Sequence, residues 1–148
     1  MRKVEEPKNF KMPKTRRTKF TNEEMLDILD FYLQYKPMFD EYVTNEKHYP
    51  PMNPHDFTLL LYIYETIDVD YINNTKKIKE KYGKQYVDEL SKEKLDFLEI
   101  ITIFTLIHRE ARNDFHNETY NYCIESHIYY NLLCRLEEIK NEIINNSN

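Results

Sequence analysis

A chain of 148 residues with 41% hydrophobic and 32% charged content is long enough for one domain that buries roughly two-thirds of its unfolded surface. Its net charge of -5 argues against a wholly basic nucleic-acid binder, and its single glycine, Gly83, excludes the glycine-rich phosphate loops of Walker or dinucleotide-binding type. The longest apolar run, Ile100 to Ile107, falls far short of a membrane span, and the first residues lack the charged-then-apolar pattern of a signal peptide, so a soluble, cytoplasmic protein is expected.

Charge divides the chain early. The first twenty residues carry eight Lys or Arg against Glu5 and Glu6, a net of +6, and the remainder carries 13 basic and 24 acidic residues, a net of -11. A basic, proline-containing segment with few apolar residues cannot bury enough surface to fold alone, so residues 1–19 read as an extended arm and 20–146 as a single helical domain. Thr21-Asn-Glu-Glu24 is a capping box. Behind it, Met25, Ile28, Leu29, Tyr32 and Leu33 keep helical spacing until Pro37, which is expected to end or kink the helix. The loop His48 to Pro54 closes on Asn53 as a cap with Pro54 at the first helical position; the next helix reaches about Val69 and buries Phe57, Leu60, Leu61, Tyr64 and Ile67. Asn74-Thr75 is expected to open a short lysine-rich helix that Gly83 terminates in a left-handed cap.

Residues 84–90 show no clear pattern. Ser91 then reads as the cap of a central helix, apolar nearly all round at Leu95, Leu98, Ile101, Ile103, Phe104, Leu106 and Ile107. After a polar break from Arg109 to Asn117, Tyr120, Ile124, Ile128, Leu132, Leu136, Ile139 and Ile143 share one face of a long final helix. No convincing period-two run occurs, so an all-α bundle of four to five helices with an extended basic N-terminal arm is predicted. Leu98, Ile101, Phe104, Ile128 and Leu132 should be buried together. Cys123 and Cys134, eleven residues apart on that final helix, would be on the order of 16 Å apart and unable to pair.

The densest polar cluster is His108-Arg-Glu-Ala-Arg-Asn-Asp-Phe-His-Asn-Glu118. With Arg109, Arg112 and His116 it resembles the Arg-to-His signature of the HEPN (higher eukaryotes and prokaryotes nucleotide-binding) domain, an all-helical RNase family of toxins and defence systems. Six residues separate Arg109 from His116, within the family's range; Arg112-Asn113 stands three from His116, one short. The resemblance implies a metal-independent RNase in which His116 moves the ribose 2′-hydroxyl proton and an arginine stabilises the pentacoordinate phosphate. The competing reading is a charged connector in which Asp114 or Asn117 caps the last helix and the arginines pair with Glu110 and Glu118.

A second resemblance covers more of the chain. The succession of helix, proline loop, aromatic-rich helix, central helix and polar break, then Phe115, Ile124-Glu-Ser126 and Leu132-Leu-Cys-Arg-Leu-Glu-Glu-Ile139, is similar to a family of small uncharacterised all-helical proteins of bacteria and phages. That family carries an Arg-Gly-Glu-Arg-Phe type run and then a glycine at the break, where this chain has Arg109-Glu-Ala-Arg112 and no glycine. Composition agrees with such a source: one Ala, one Gly and fourteen Asn, with abundant Lys, Ile and Tyr, are the residues of AT-rich codons.

Two basic elements could neutralise phosphate. One is the arm, with Lys14, Arg16, Arg17 and Lys19; the other is Lys76, Lys77, Lys79, Lys81 and Lys84, with Tyr82 and Tyr86 placed to stack on bases. Cys123 and His127 make half a metal site without a second pair, so no metal or cofactor is expected. Thirteen Tyr without Trp exceed what a core needs, and Tyr42, Tyr49, Tyr62, Tyr129 and Tyr130 should include exposed contact residues. These features point to a non-catalytic interaction protein of phage or mobile-element type. It would inhibit a host nucleic-acid-handling or defence complex, in the manner of an anti-CRISPR protein, by occupying its protein or RNA surface. A small helical RNase of the toxin type and a plain RNA-binding module are the alternatives, and no membrane partner is expected.

Overall fold

Wherever the sequence repeats its apolar residues every three to four positions, the chain is helical. The structure, a computed structural model, describes residues 19–44, 50–65, 70–113 and 116–146. Among these are eight helices and no strand: α1 (Asn22–Leu33), α2 (Lys36–Thr44), α3 (Pro54–Glu65), α4 (Tyr71–Tyr82), α5 (Val87–Leu90), α6 (Phe97–Ala111), α7 (Glu118–Glu125) and α8 (Ile128–Asn146). None of the described helices is long and apolar enough to cross a membrane.

Three start and stop signals act as predicted. Thr21 and Glu24 close a reciprocal capping box at 3.2 Å in each direction, the Asp56 N–H donates to Asn53 Oδ1 at 2.7 Å ahead of Pro54, and Gly83 ends α4 at φ 66°. Pro37 also breaks the helix as expected: α1 ends at Leu33, four residues before it, where the missing N–H leaves the carbonyl without its helical donor, and the proline then sits in the first turn of α2. Three differ. The N-cap of α4 is Asp70, which accepts from the Asn73 N–H; Asn74 lies one turn inside, buried, with its side-chain amide on Thr102 Oγ1 of α6 at 3.3 Å. Ser91 closes α5, donating its hydroxyl to the Asp88 carbonyl, and the central helix α6 starts instead from Asp96, which forms a second capping box with Glu99 at 2.8 Å in each direction.

The third difference divides the expected final helix in two. His127 takes the left-handed conformation at φ 60°, after the Ser126 N–H has closed α7 on the carbonyls of Ile124 and Tyr122. Ile124 and Ile128 are buried on either side of this break, so the apolar period runs through it undisturbed. Cys123 and Cys134 therefore lie on different helices, and their separation is not that of one continuous helix; both are free thiols. Burial pushes the Cys123 thiol up to about 12, with the Glu110 carboxylate adding to it.

The helix α6 is the centre of the fold, packed most extensively on α3 and α4 and also on α7 and α8, while α1 lies along α8. Ile101, Phe104, Ile128 and Leu132 are fully buried as expected; Leu98 is only half-buried, because it lines a surface groove with Phe20, Met25 and Ile143. Where the helices meet, an aromatic cluster replaces the usual aliphatic layers. Phe104 stands 5.4 Å from Tyr32 and 5.3 Å from Tyr129, and Tyr129 also meets Phe39 at 5.0 Å and Phe57 at 5.1 Å. Its rings come from α1, α2, α3, α6 and α8, which ties the bundle into one core.

This cluster absorbs much of the tyrosine excess. Tyr129, expected among the exposed rings, is completely buried because it fills the gap between Phe39, Phe57 and Phe104. Tyr32 donates its hydroxyl to the Leu60 carbonyl at 2.8 Å, and Tyr120 donates to that of Met52. Tyr42 and Tyr130 are half-buried, and Tyr130 donates to Asp40 Oδ1 at 2.7 Å. Burial works against the charge of Asp40, but Tyr130 and the Lys36 ammonium outweigh it and hold that carboxyl below its usual range. The side chains of Tyr49, Tyr62, Tyr64 and Ile67 fall outside the described residues.

Candidate functional site

Helix α4 has two faces of opposite character. Asn74 and Ile78 are buried against α6, while Lys76, Lys77 and Lys79 are exposed. Residues 71–84 carry five lysines against Glu80, a net of +4 within a body of net charge -11. At the end of α4, the Gly83 N–H bonds to the Lys79 carbonyl at 2.9 Å in the left-handed cap, and Lys79 and Lys81 in the last turn complement the helix dipole.

The basic residues divide into two sets. Lys81 pairs with Glu99 at 3.2 Å and lies 5.0 Å over the Tyr82 ring; Tyr82 donates to Glu99 Oε1 at 2.6 Å, and Lys84 pairs with Glu93. Contact with the Tyr82 hydroxyl and with Glu99 raises the Lys81 pKa, and burial together with Glu99 raises that of Tyr82. These three therefore brace the end of α4 against the turn before α6 and its first residues, with the Tyr82 ring half-buried and its hydroxyl held by Glu99. Lys76, Lys77 and Lys79 form no ion pair with any described residue and point their charge at solvent. Lys19 is exposed as well; Lys14, Arg16 and Arg17 lie outside the described residues.

Beyond Gly83 the chain turns into α5 through Tyr86, whose ring is 61% exposed. A cleft of about 420 Å³ opens there, lined by Lys79, Gly83, Lys84, Gln85, Tyr86 and Glu89. Tyr122 of α7 is 50% exposed, and burial followed by the nearby Asp88 carboxylate of α5 raises its pKa. Sequence reasoning missed Tyr122. It sits off the apolar stripe of its helix, and only the fold brings it near the Asp88 carboxylate, two residues beyond Tyr86.

The polar cluster after α6 is distributed differently. Arg109 is half-buried with its guanidinium 4.6 Å over the Tyr71 ring, a cation-π contact that joins the end of α6 to the start of α4. Arg112 is the C-cap of α6, its N–H on the His108 carbonyl at 3.0 Å, and is exposed, as is His116 before α7. Asn117 begins α7 at φ 56° without a side-chain cap bond, so the expected cap from Asn117 does not form; Asp114 and Phe115 lie outside the described residues. Cys123 is buried in α7 and His127 is half-buried at the break. No group of three or more His, Cys, Asp and Glu among the described residues could hold a metal ion.

Comparison of the chain with protein-family models, curated proteins and solved structures gives no match. Function must be read from the geometry itself.

Proposed function

We propose that this chain is a non-catalytic interaction protein that docks on a nucleic-acid-handling complex, with the lysine face of α4 set against exposed phosphate. A ligand seated in this way excludes the complex's own substrate, so the consequence of binding is inhibition. The observation that carries the reading is the separation of the α4 lysines: three cations project to solvent from one rigid helix, while the neighbouring two are neutralised by Glu99 and Glu93 and hold that helix in place. A face that stays net positive with Glu80 among its lysines, on an acidic body, attracts a polyanion and repels most other basic surfaces. The arm, with its net charge of +6, extends the same field. Arg109 has a structural contact on Tyr71, which favours binding over catalysis for the Arg109, Arg112 and His116 group.

Phosphate contacts are read from salt dependence. Each one contributes about -0.7 to the slope of log K against log salt for single strands, so changing Lys76, Lys77 and Lys79 together to Gln should flatten that slope by about 2 units. Filter binding of a labelled RNA at several salt concentrations measures it. An unchanged slope in the triple variant would place the phosphate contacts elsewhere, and salt-independent retention of the wild-type protein would remove the nucleic-acid reading.

A further inference from the structure

Resting on that reading of the lysine face, we infer that Tyr86 and Tyr122 form a stacking platform and that the nucleic acid bound here is single-stranded. Both rings are at least half exposed, on a chain whose other described tyrosines are buried or partly so. Tyr86 is the N-cap residue of α5 in extended geometry and lines the cleft together with Lys79, and Tyr122 lies near the Asp88 carboxylate, two residues beyond Tyr86 in α5. One exposed ring thus stands in the cleft at Gly83, and the second lies near Asp88 of the same helical turn.

The charges beside the platform give the ligand a direction. Lys79 borders the cleft on the α4 side, while Glu89 borders it on the α5 side and repels phosphate. Lys84 is already matched by Glu93. A phosphate backbone therefore runs along Lys76, Lys77 and Lys79, and its bases lie over α5, where the two rings are. Bases offer their faces only when unpaired, since in a duplex these faces are covered by neighbouring pairs. Aromatic platforms beside cationic tracks select single strands for this reason.

Fluorescence anisotropy of the full chain with a labelled ten-nucleotide single-stranded RNA, and with the same RNA annealed to its complement, tests the inference. The single strand should bind at least tenfold more tightly than the duplex. Tyr86→Ala should weaken single-strand binding about fivefold or more, the lower end of a stacking contact, and leave duplex binding unchanged; Tyr86→Phe, which keeps the ring face, should bind as the wild type does. Tyr122→Ala should act in the same direction. Equal affinity for strand and duplex, or an unaltered Tyr86→Ala variant, would overturn the platform while salt-dependent binding through α4 still stood. Binding of neither probe would overturn both.

Discussion

Replacing Phe104 with Ala should lower the stability of the fold by roughly 3 to 5 kcal/mol, a large part of the roughly 5 to 15 kcal/mol that holds a domain together. The side chain is fully buried, and its neighbours Tyr32 and Tyr129 are as well. The space left behind cannot close easily. Tyr32 is anchored by its hydroxyl to the Leu60 carbonyl, and Tyr129 is already in contact with Phe39 and Phe57. The cavity term therefore adds to the loss of transfer energy. In a chain of this size each kcal/mol moves the melting temperature by about 2 to 4 °C, so circular dichroism should record a fall on the order of 10 °C. Phe104→Leu, which conserves more volume, should recover most of it. A melting temperature unchanged in Phe104→Ala would show that α6 is not the centre of the bundle.

Arg135 gives the second large effect. Its residue is only 8% exposed, with Nε donating to the Leu95 carbonyl at 2.7 Å and Nη1 to Glu138 at 3.3 Å and Glu142 at 3.1 Å. Leu95 is buried in the turn before α6, so its carbonyl has no place in a helical ladder. Removing the guanidinium strands that acceptor away from water, at a cost of about 2 to 3 kcal/mol for a charged hydrogen bond. The two glutamates contribute little, because their side chains are 63% and 50% exposed and water replaces the lost partner. Arg135→Ala should accordingly lower the urea midpoint, and Glu138→Gln should barely move it. A loss under about 0.5 kcal/mol in Arg135→Ala, the range of ordinary surface changes, would mean that the Leu95 carbonyl finds another donor.

How much could be read from the sequence depended on whether the signal was local. The Thr21 box, the Asn53-Pro54 start and the Gly83 stop each rest on a few adjacent residues whose chemistry permits little else, and all three form. At Ser91 and Asp96, two residues able to cap lie five positions apart, and the residue three places downstream decides between them. Asp96 has Glu99 to complete a reciprocal pair, whereas Ser91 is used to close α5. The break at His127 left no trace, because it lacks the usual glycine or asparagine of a left-handed position and both helices bury the same apolar stripe. Pro37 was legible in the same local way as the Thr21 box: its absent N–H ends α1 at Leu33, and the same absence is harmless in the first turn of α2.

The candidate site was legible to the same extent. Lysine content marked α4 as basic, but charge alone does not tell which cations are matched, and Glu93 and Glu99, distant in sequence, select Lys84 and Lys81 for structural pairs. Tyr82 is drawn to Glu99 for the same reason. Tyr122 is exposed near the Asp88 carboxylate of α5, a proximity between residues distant in sequence that no short pattern encodes.

Mapping backbone amide shifts of the labelled protein during titration with a short single-stranded RNA would test the lysine face most directly. Perturbations should cluster on Lys76, Lys77, Lys79 and Gly83 and continue to Tyr86, with residues of α8 undisturbed. Shifts gathered instead on Arg109, Arg112 and His116, or no shifts at all, would contradict binding through α4.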